Sequence, residues 1–169
     1  MSFPLYVKIA VQLGLSPVFV DVESEHLNID PEKIRNAITK DTKAVVVTHL
    51  FGHPAQLGNI KKITDQFGVP IIEDCAQSYD SFFCEKETGT SGWVGIFSSS
   101  LMKVPTTLGG GVLITRDKEL ARKIRKTVEK IYISQEKRGA TLYHAKGLVS
   151  VLNSYPGLYS LISHRVVIS

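Results

Sequence analysis

The sequence predicts an α/β fold, a three-layer sandwich built on a mostly parallel sheet. Two observations carry this. Short, nearly continuous apolar runs such as Lys43-Ala-Val-Val-Val-Thr-His49 and Val69-Pro-Ile-Ile-Glu73 suit strands covered on both faces. They alternate with helical segments of about ten residues, the spacing that parallel crossovers require. A chain of 169 residues, 43% apolar and 21% charged, is long enough for one domain with a hydrophobic core and has ordinary globular composition.

The elements follow in order. Ser2 ahead of Phe3-Pro4, then apolar Val7, Ile9, Ala10 and Leu13 before Gly14, predicts a short capped helix. Pro17-Val-Phe-Val-Asp-Val22 reads as a strand, and Asp30-Pro31 opens a helix running to Thr39. The strand Lys43–His49 leads through Gly52-His-Pro54 to a helix from Gln56 to Phe67, closed by Gly68, and then to the strand Val69–Glu73. The pattern loosens from Ser81 to Gly92. Strands are expected again at Val94–Ser98 and Gly111–Thr115, and an amphipathic helix from Asp117 to about Ile131. Ser134 to Gly139 reads as a polar linker, Thr141 to Leu152 as a resumed apolar pattern, and Tyr155 to Ser169 as apolar without nameable chemistry.

Charge and cysteine usage exclude several functions. Residues 117–169 hold ten Lys/Arg against four Asp/Glu, while the first 116 residues hold ten against twelve. This local basic end lacks the aromatic interleaving of a nucleic-acid reader, so no nucleic-acid partner is expected. Cys75 and Cys84 have neither CxxC spacing nor matching histidines, so no metal site or disulfide framework is expected. The opening residues lack a secretory pattern and no apolar run approaches a membrane span, which makes a reduced, cytoplasmic protein without membrane contact the expectation.

In a mostly parallel sheet, reactive side chains gather at the carboxyl ends of strands. His49 ends one predicted strand; Asp74 follows another, with Gln77 three residues on; Ser98 ends a third, with Lys103 five residues on. Each has a structural alternative: Asp74 as a helix N-cap, Ser98 to Ser100 as turn formers, Gly109-Gly110-Gly111 as a loop needing positive φ, Lys103 as a solvated charge. Together they supply an amine for a Schiff base, a carboxylate for a pyridinium nitrogen and hydroxyls for a phosphate, the requirements of pyridoxal 5′-phosphate.

Four stretches from about Pro17 to about Arg125 sharpen this. Pro17-Val-Phe-Val-Asp-Val22 with Leu27-Asn-Ile-Asp-Pro31, Thr42-Lys-Ala-Val-Val-Val-Thr-His-Leu-Phe-Gly52, Val69-Pro-Ile-Ile-Glu-Asp-Cys-Ala-Gln77, and Phe97-Ser98 with Lys103 and Gly110-Gly111 resemble, in order and spacing, the DegT/DnrJ/StrS family of sugar aminotransferases. The resemblance implies a partial large domain of a fold-type I PLP-dependent transferase. It makes Lys103 the catalytic, Schiff-base lysine, sets Asp74 on the pyridine nitrogen, Gln77 beside the ring and its phenolic oxygen, and Ser98 on the phosphate. His49 joins this cofactor-binding set without a definite role. The implied reaction moves an amino group, typically from glutamate, to a keto group on a nucleotide-linked sugar, in a homodimer. Dehydratase members of the family resemble this chain but carry histidine in place of the lysine, so Lys103 favours transamination.

There are departures. Gly92-Trp93 stands where the family usually has glycine followed by aspartate, and Val104-Pro-Thr-Thr-Leu108 makes a shorter lysine loop. Family members resemble chains roughly twice this length, with a phosphate-binding turn ahead of Met1 and a smaller domain beyond the far end. Residues 1–133 are therefore expected to be part of the PLP-binding large domain, truncated at both ends, and 134–169 a helical connecting segment. Weak cofactor affinity is expected of the isolated chain. The alternative is a non-catalytic α/β remnant acting as a binding or assembly domain.

Overall fold

The computed structural model describes residues 4–100, 103, 105, 107 and 110–136, the last six by their backbone alone. Its helices form where the local sequence specifies them. In α1 (Pro4–Gln12), proline occupies the first turn and Gly14 follows the end with φ 73°. In α2 (Pro31–Ala37), the Asp30 side chain accepts the Glu32 N–H and proline sits where no intrahelical donor is needed. α3 (Leu57–Phe67) buries Leu57, Ile60, Ile63 and Thr64, a three-to-four-residue stripe, and ends on Gly68 in the left-handed conformation that glycine reaches without a Cβ penalty.

The strands β1 (Val45–Thr48), β2 (Ile71–Asp74), β5 (Val94–Ser98) and β6 (Gly111–Ile114) form one sheet in the order β1-β2-β5-β6. β1 and β2 run parallel through α3, and β2 and β5 are also parallel. Register decides the faces, because successive strand residues point to opposite sides. Val47 and Glu73 are partners, and Val47 and Ile71 join Ile34, Ala55, Leu57, Ile60 and Ile63 in the core beneath α2 and α3. Thr48 and Asp74 are partners on the opposite face. The α/β alternation with a mostly parallel sheet is as predicted.

The chain divides into two compact units: Met1–Phe97 with Val112–Asp117, and Ser98–Gly111 with Lys118–Ser169. In the second, α4 (Lys118–Glu136) is a 19-residue helix. It carries on through Ser134-Gln-Glu136, expected as the start of a linker, because nothing there interrupts a helix. The predicted boundary at 133/134 falls inside it. The readings for Ser2, Gly109 and residues 137–169 lie outside the described residues.

Two local expectations are revised. Pro17–Val22 makes no strand, only an isolated antiparallel bridge between Val22 and Ile29; Val18 and Phe19 are exposed, and among the described residues no sheet edge pairs with them. Within the loose Ser81–Gly92 stretch, β3 (Phe82–Phe83) and β4 (Lys86–Glu87) form a small hairpin. Its turn residues Cys84 and Glu85 take φ 46° and 64°, a conformation usually announced by glycine or asparagine, which is why the sequence hid it.

β5 leaves no room for a side chain at Gly95. A Cβ there would stand 2.6 Å from Gly89 Cα and closer still to the Gly89 carbonyl oxygen. Gly95→Ala is therefore expected to cost about 2 kcal/mol of stability, read as a lowered urea midpoint, because backbone must move to admit the methyl.

Candidate functional site

Asp74 ends β2 at the sheet's carboxyl edge with its carboxylate buried. No helix follows. Oδ1 accepts the Ala76 N–H at 3.0 Å, so the residue closes an Asx-type turn, which settles the N-cap alternative. Burial, followed by the charge of Asp74, pushes the Tyr6 phenol of α1 far above the usual tyrosine range, so it stays protonated. Among the described residues Asp74 makes no ion pair with a lysine, arginine or histidine. Its register partner Thr48 carries a buried Oγ1 without a hydrogen-bond partner.

Gln77 is exposed, and its Oε1 accepts the Phe51 N–H at 3.2 Å. That bond sets the amide's orientation and turns its NH₂ into the available donor. The Phe51 turn is strained, with φ 54° at a non-glycine residue. Buried Asn28 braces it: Oδ1 takes the Leu50 N–H at 3.0 Å and Nδ2 donates to the His53 carbonyl at 2.9 Å.

His49 lies elsewhere. Expected in the cofactor-binding set with Asp74, it points to the opposite face of the sheet, where it is wholly buried beside Glu73. Nδ1 accepts the Ala55 N–H at 3.0 Å, which leaves the proton on Nε2, 3.1 Å from Glu73 Oε2. Glu73 also accepts from Gly89 N at 2.7 Å, Ser91 N at 2.8 Å and Gly92 N. Burial pushes its carboxyl up, but the bonds from His49, Gly92 and Gly89 outweigh that and hold it below the ordinary value. Cys75 Sγ completes a cluster within 4.8 Å, but both imidazole nitrogens and both carboxylate oxygens are engaged by protein, so the group is a hydrogen-bonded brace. Burial and the Glu73 charge push the Cys75 thiol up to about 12, which makes it a poor nucleophile.

In the second unit, Ser98 Oγ donates to Ser100 Oγ at 3.3 Å and lies 3.5 Å from the Ser100 N–H. The Lys103 N–H closes a turn on the Ser100 carbonyl at 2.9 Å. Ser99 N bonds the Gly110 carbonyl at 3.2 Å, and Thr107 N and Oγ1 bond Ser99 O and Oγ at 3.0 and 2.9 Å. The loop is thus tied back on itself, and Lys103 within it is half-buried. Asp74 and Gln77 belong to one unit and Ser98 and Lys103 to the other.

Comparison with known proteins adds the deciding observation: residues 1–148 match the DegT/DnrJ/EryC1/StrS aminotransferase family. The chain belongs to this family. Among DegT/DnrJ/EryC1/StrS aminotransferases, it is 44% identical over 114 residues to an L-glutamine:2-deoxy-scyllo-inosose aminotransferase of Streptomyces kanamyceticus, an alignment covering 68% of this chain and 27% of that one. An aminotransferase structure from Psychrobacter cryohalolentis is 36% identical with a TM-score of 0.69, over 72% of this chain and 31% of that one. An E. coli GDP-4-keto-6-deoxy-D-mannose-3-dehydratase with bound hydrated PLP is 34% identical with a TM-score of 0.67, over 70% and 31%. The chain spans about a third or less of each relative's length. The α/β fold with a mostly parallel sheet is that of fold-type I PLP aminotransferases.

The DegT/DnrJ/EryC1/StrS motifs point to Asp74, Gln77, Ser98 and Lys103 but pass over three residues. Glu73 carried a usable signal, since a carboxylate inside an apolar strand must find donors. Asn28 lay inside one of the motifs without a role. Thr48 had no local signal.

Proposed function

We propose that this chain supplies cofactor-holding residues of a pyridoxal 5′-phosphate-dependent sugar aminotransferase. The observation that carries the reading is Asp74, a buried carboxylate at the carboxyl end of a central parallel strand with no cation beside it among the described residues. The donor set fits the group. A buried anion suits a pyridinium N–H, the orphan Thr48 hydroxyl on its face suits a polar ligand, and the Ser98–Ser100 hydroxyls suit a phosphate. When bound, pyridoxal 5′-phosphate supplies an electron sink for the carbanion at the donor's α-carbon.

Asp74 would keep the ring nitrogen protonated, Gln77 would donate its NH₂ to the phenolic oxygen, and Ser98 would bind the phosphate. Lys103 would hold the aldehyde through its amine and then carry the proton to and from the donor's α-carbon. His49 would act beneath the site, holding Glu73. The donor is read as glutamate or glutamine; the Streptomyces relative is named an L-glutamine:2-deoxy-scyllo-inosose aminotransferase. A nucleotide-linked keto sugar is read as the acceptor here, supported by structural neighbours described with a TDP-sugar product and with GDP-perosamine. Lys103 favours transamination over dehydration. Homodimer assembly belongs to the same reading, supported by exposed apolar side chains such as Val18 and Phe19.

The test adds pyridoxal 5′-phosphate to the purified chain, records the visible spectrum, reduces with borohydride and maps the labelled peptide. A new visible band and label on Lys103 are expected. No band and no label at Lys103 would sink the catalytic reading and leave the chain a non-catalytic α/β binding domain.

A further inference from the structure

We infer that Asn28 is a positioning residue for Gln77: its carboxamide clamps the Leu50–His53 turn, whose Phe51 N–H holds the Gln77 amide by its oxygen and leaves the NH₂ for the cofactor's phenolic oxygen. The inference rests on the pyridoxal 5′-phosphate reading of the site and adds to it a residue that the reading does not use.

Leu50 to His53 form a tight turn, closed by the His53 N–H on the Leu50 carbonyl at 2.8 Å. The central residues Phe51 and Gly52 take φ 54° and 80°, the pattern of a type I′ turn. Such turns favour asparagine, aspartate or glycine at the first central position, so a phenylalanine there is strained. Packing does not offset the strain, because Phe51 is 66% exposed. The turn is held from outside. Residues flanking a two-residue hairpin turn ordinarily exchange two backbone hydrogen bonds. Here the Asn28 carboxamide takes the place of the second: Oδ1 accepts the Leu50 N–H at 3.0 Å, and Nδ2 donates to the His53 carbonyl at 2.9 Å. Among side chains of this size only a carboxamide sets an acceptor and a donor side by side, so neither aspartate nor leucine can stand in.

Asn28 is itself fixed. It is 2% exposed, its N–H donates to Glu23 Oε1 at 3.1 Å, and its carbonyl accepts the Glu23 N–H at 2.8 Å. The Val22–Ile29 bridge lies beside these bonds, so the bridge that replaces the expected strand anchors the clamp. On its other side the turn meets the site, where the Phe51 N–H donates to Gln77 Oε1 at 3.2 Å across 26 residues of sequence. Gln77 is exposed, and a free glutamine amide would have to be ordered when a ligand binds, at a cost in affinity. The clamp meets that cost in advance. Asn28, the turn and Gln77 all belong to the first unit.

The experiment compares wild type, Asn28→Ala, Asn28→Asp, Gln77→Ala and each Asn28 variant combined with Gln77→Ala, by two readouts. Asn28→Asp keeps the acceptor for the Leu50 N–H and carries the comparison if Asn28→Ala does not fold. The first readout needs no cofactor: hydrogen exchange of the Phe51 amide, followed by NMR. Exchange is expected to quicken about tenfold in Gln77→Ala, which removes the acceptor, and at least as much in the Asn28 variants, which release the turn. The second is the dissociation constant for pyridoxal 5′-phosphate from absorbance. Each Asn28 variant should weaken binding about tenfold when Gln77 is present and by less than about twofold in the Gln77→Ala background, because Asn28 acts through that amide. A general loss of structure would weaken both backgrounds alike, and that result overturns the inference. So does Phe51 exchange indifferent to Gln77→Ala or to the Asn28 variants. Wild type that takes up no pyridoxal 5′-phosphate overturns both this role and the reading of the site, whereas uptake unaffected by the Asn28 variants overturns this role alone.

Discussion

Lys103→Ala is expected to abolish both the visible band with pyridoxal 5′-phosphate and the borohydride-fixed label, a loss of at least about a hundredfold in labelled protein. The reason is chemical: of the side chains in this loop only a primary amine condenses with an aldehyde, so neither serine nor threonine nor the backbone can substitute. Lys103 is half-buried and its backbone N–H, which alanine retains, already closes the turn on Ser100. The substitution should therefore change the unfolding midpoint little, within about 0.5 kcal/mol, which separates lost chemistry from lost fold. Asp74→Asn provides the contrast. It should retain label on Lys103 while weakening proton transfer at the donor's α-carbon, because the amide cannot hold a pyridinium charge. Undiminished label in Lys103→Ala, or label mapped to another lysine, would remove this residue from the proposed site.

The largest stability effect is expected at Glu73. Its carboxylate gathers His49 and three backbone N–H groups from residues 89–92, so one side chain ties the loop ahead of β5 to the middle of the sheet. Glu73→Ala would leave those donors buried without an acceptor and is expected to cost about 3–5 kcal/mol, a large part of a small domain's stability. Glu73→Gln should cost less, since one oxygen is kept, but its NH₂ would face donors. The pH dependence has a definite sign. The folded carboxyl is held below its ordinary value of 4.5, so its stabilisation is fully present above about that pH and fades as pH falls through the lower folded value. The gap between wild type and Glu73→Ala in urea melts should accordingly be widest near neutrality and narrow in acid. A gap independent of pH, or below about 1 kcal/mol at neutrality, would show that the carboxylate does not brace the loop.

Much of the α/β alternation was legible because it is written in short-range patterns. Asp30-Pro31 begins a helix by supplying an acceptor and removing a needless donor, and Gly68 ends one because it reaches φ 65° freely. The runs at Val45–Thr48 and Ile71–Asp74 announced strands covered on both faces. Pro17–Val22 misled because its β-branched, aromatic composition describes a residue's preference for a pleated surface, and the preference is met only where a neighbouring strand exists. The Phe82–Glu87 hairpin escaped for the opposite reason: its turn is imposed on Cys84 and Glu85 by what surrounds them.

The site divides along the same line. Sequence by itself determined the residue types and their places at strand ends: Asp74 with Gln77, Ser98 with Lys103, and the family to which their spacing belongs. Only the tertiary structure decided which face each side chain takes. Glu73 and Asp74 are neighbours in the chain, and the two-residue period of a strand sends them to opposite sides of the sheet, the first to His49 and the loop at 89–92, the second to the face shared with Thr48. His49 was grouped with Asp74 because both end strands. Sidedness, however, is a property of register between strands, and Glu73 meets His49 and the 89–92 loop through bonds spanning 16 to 24 residues of sequence, which no local pattern encodes.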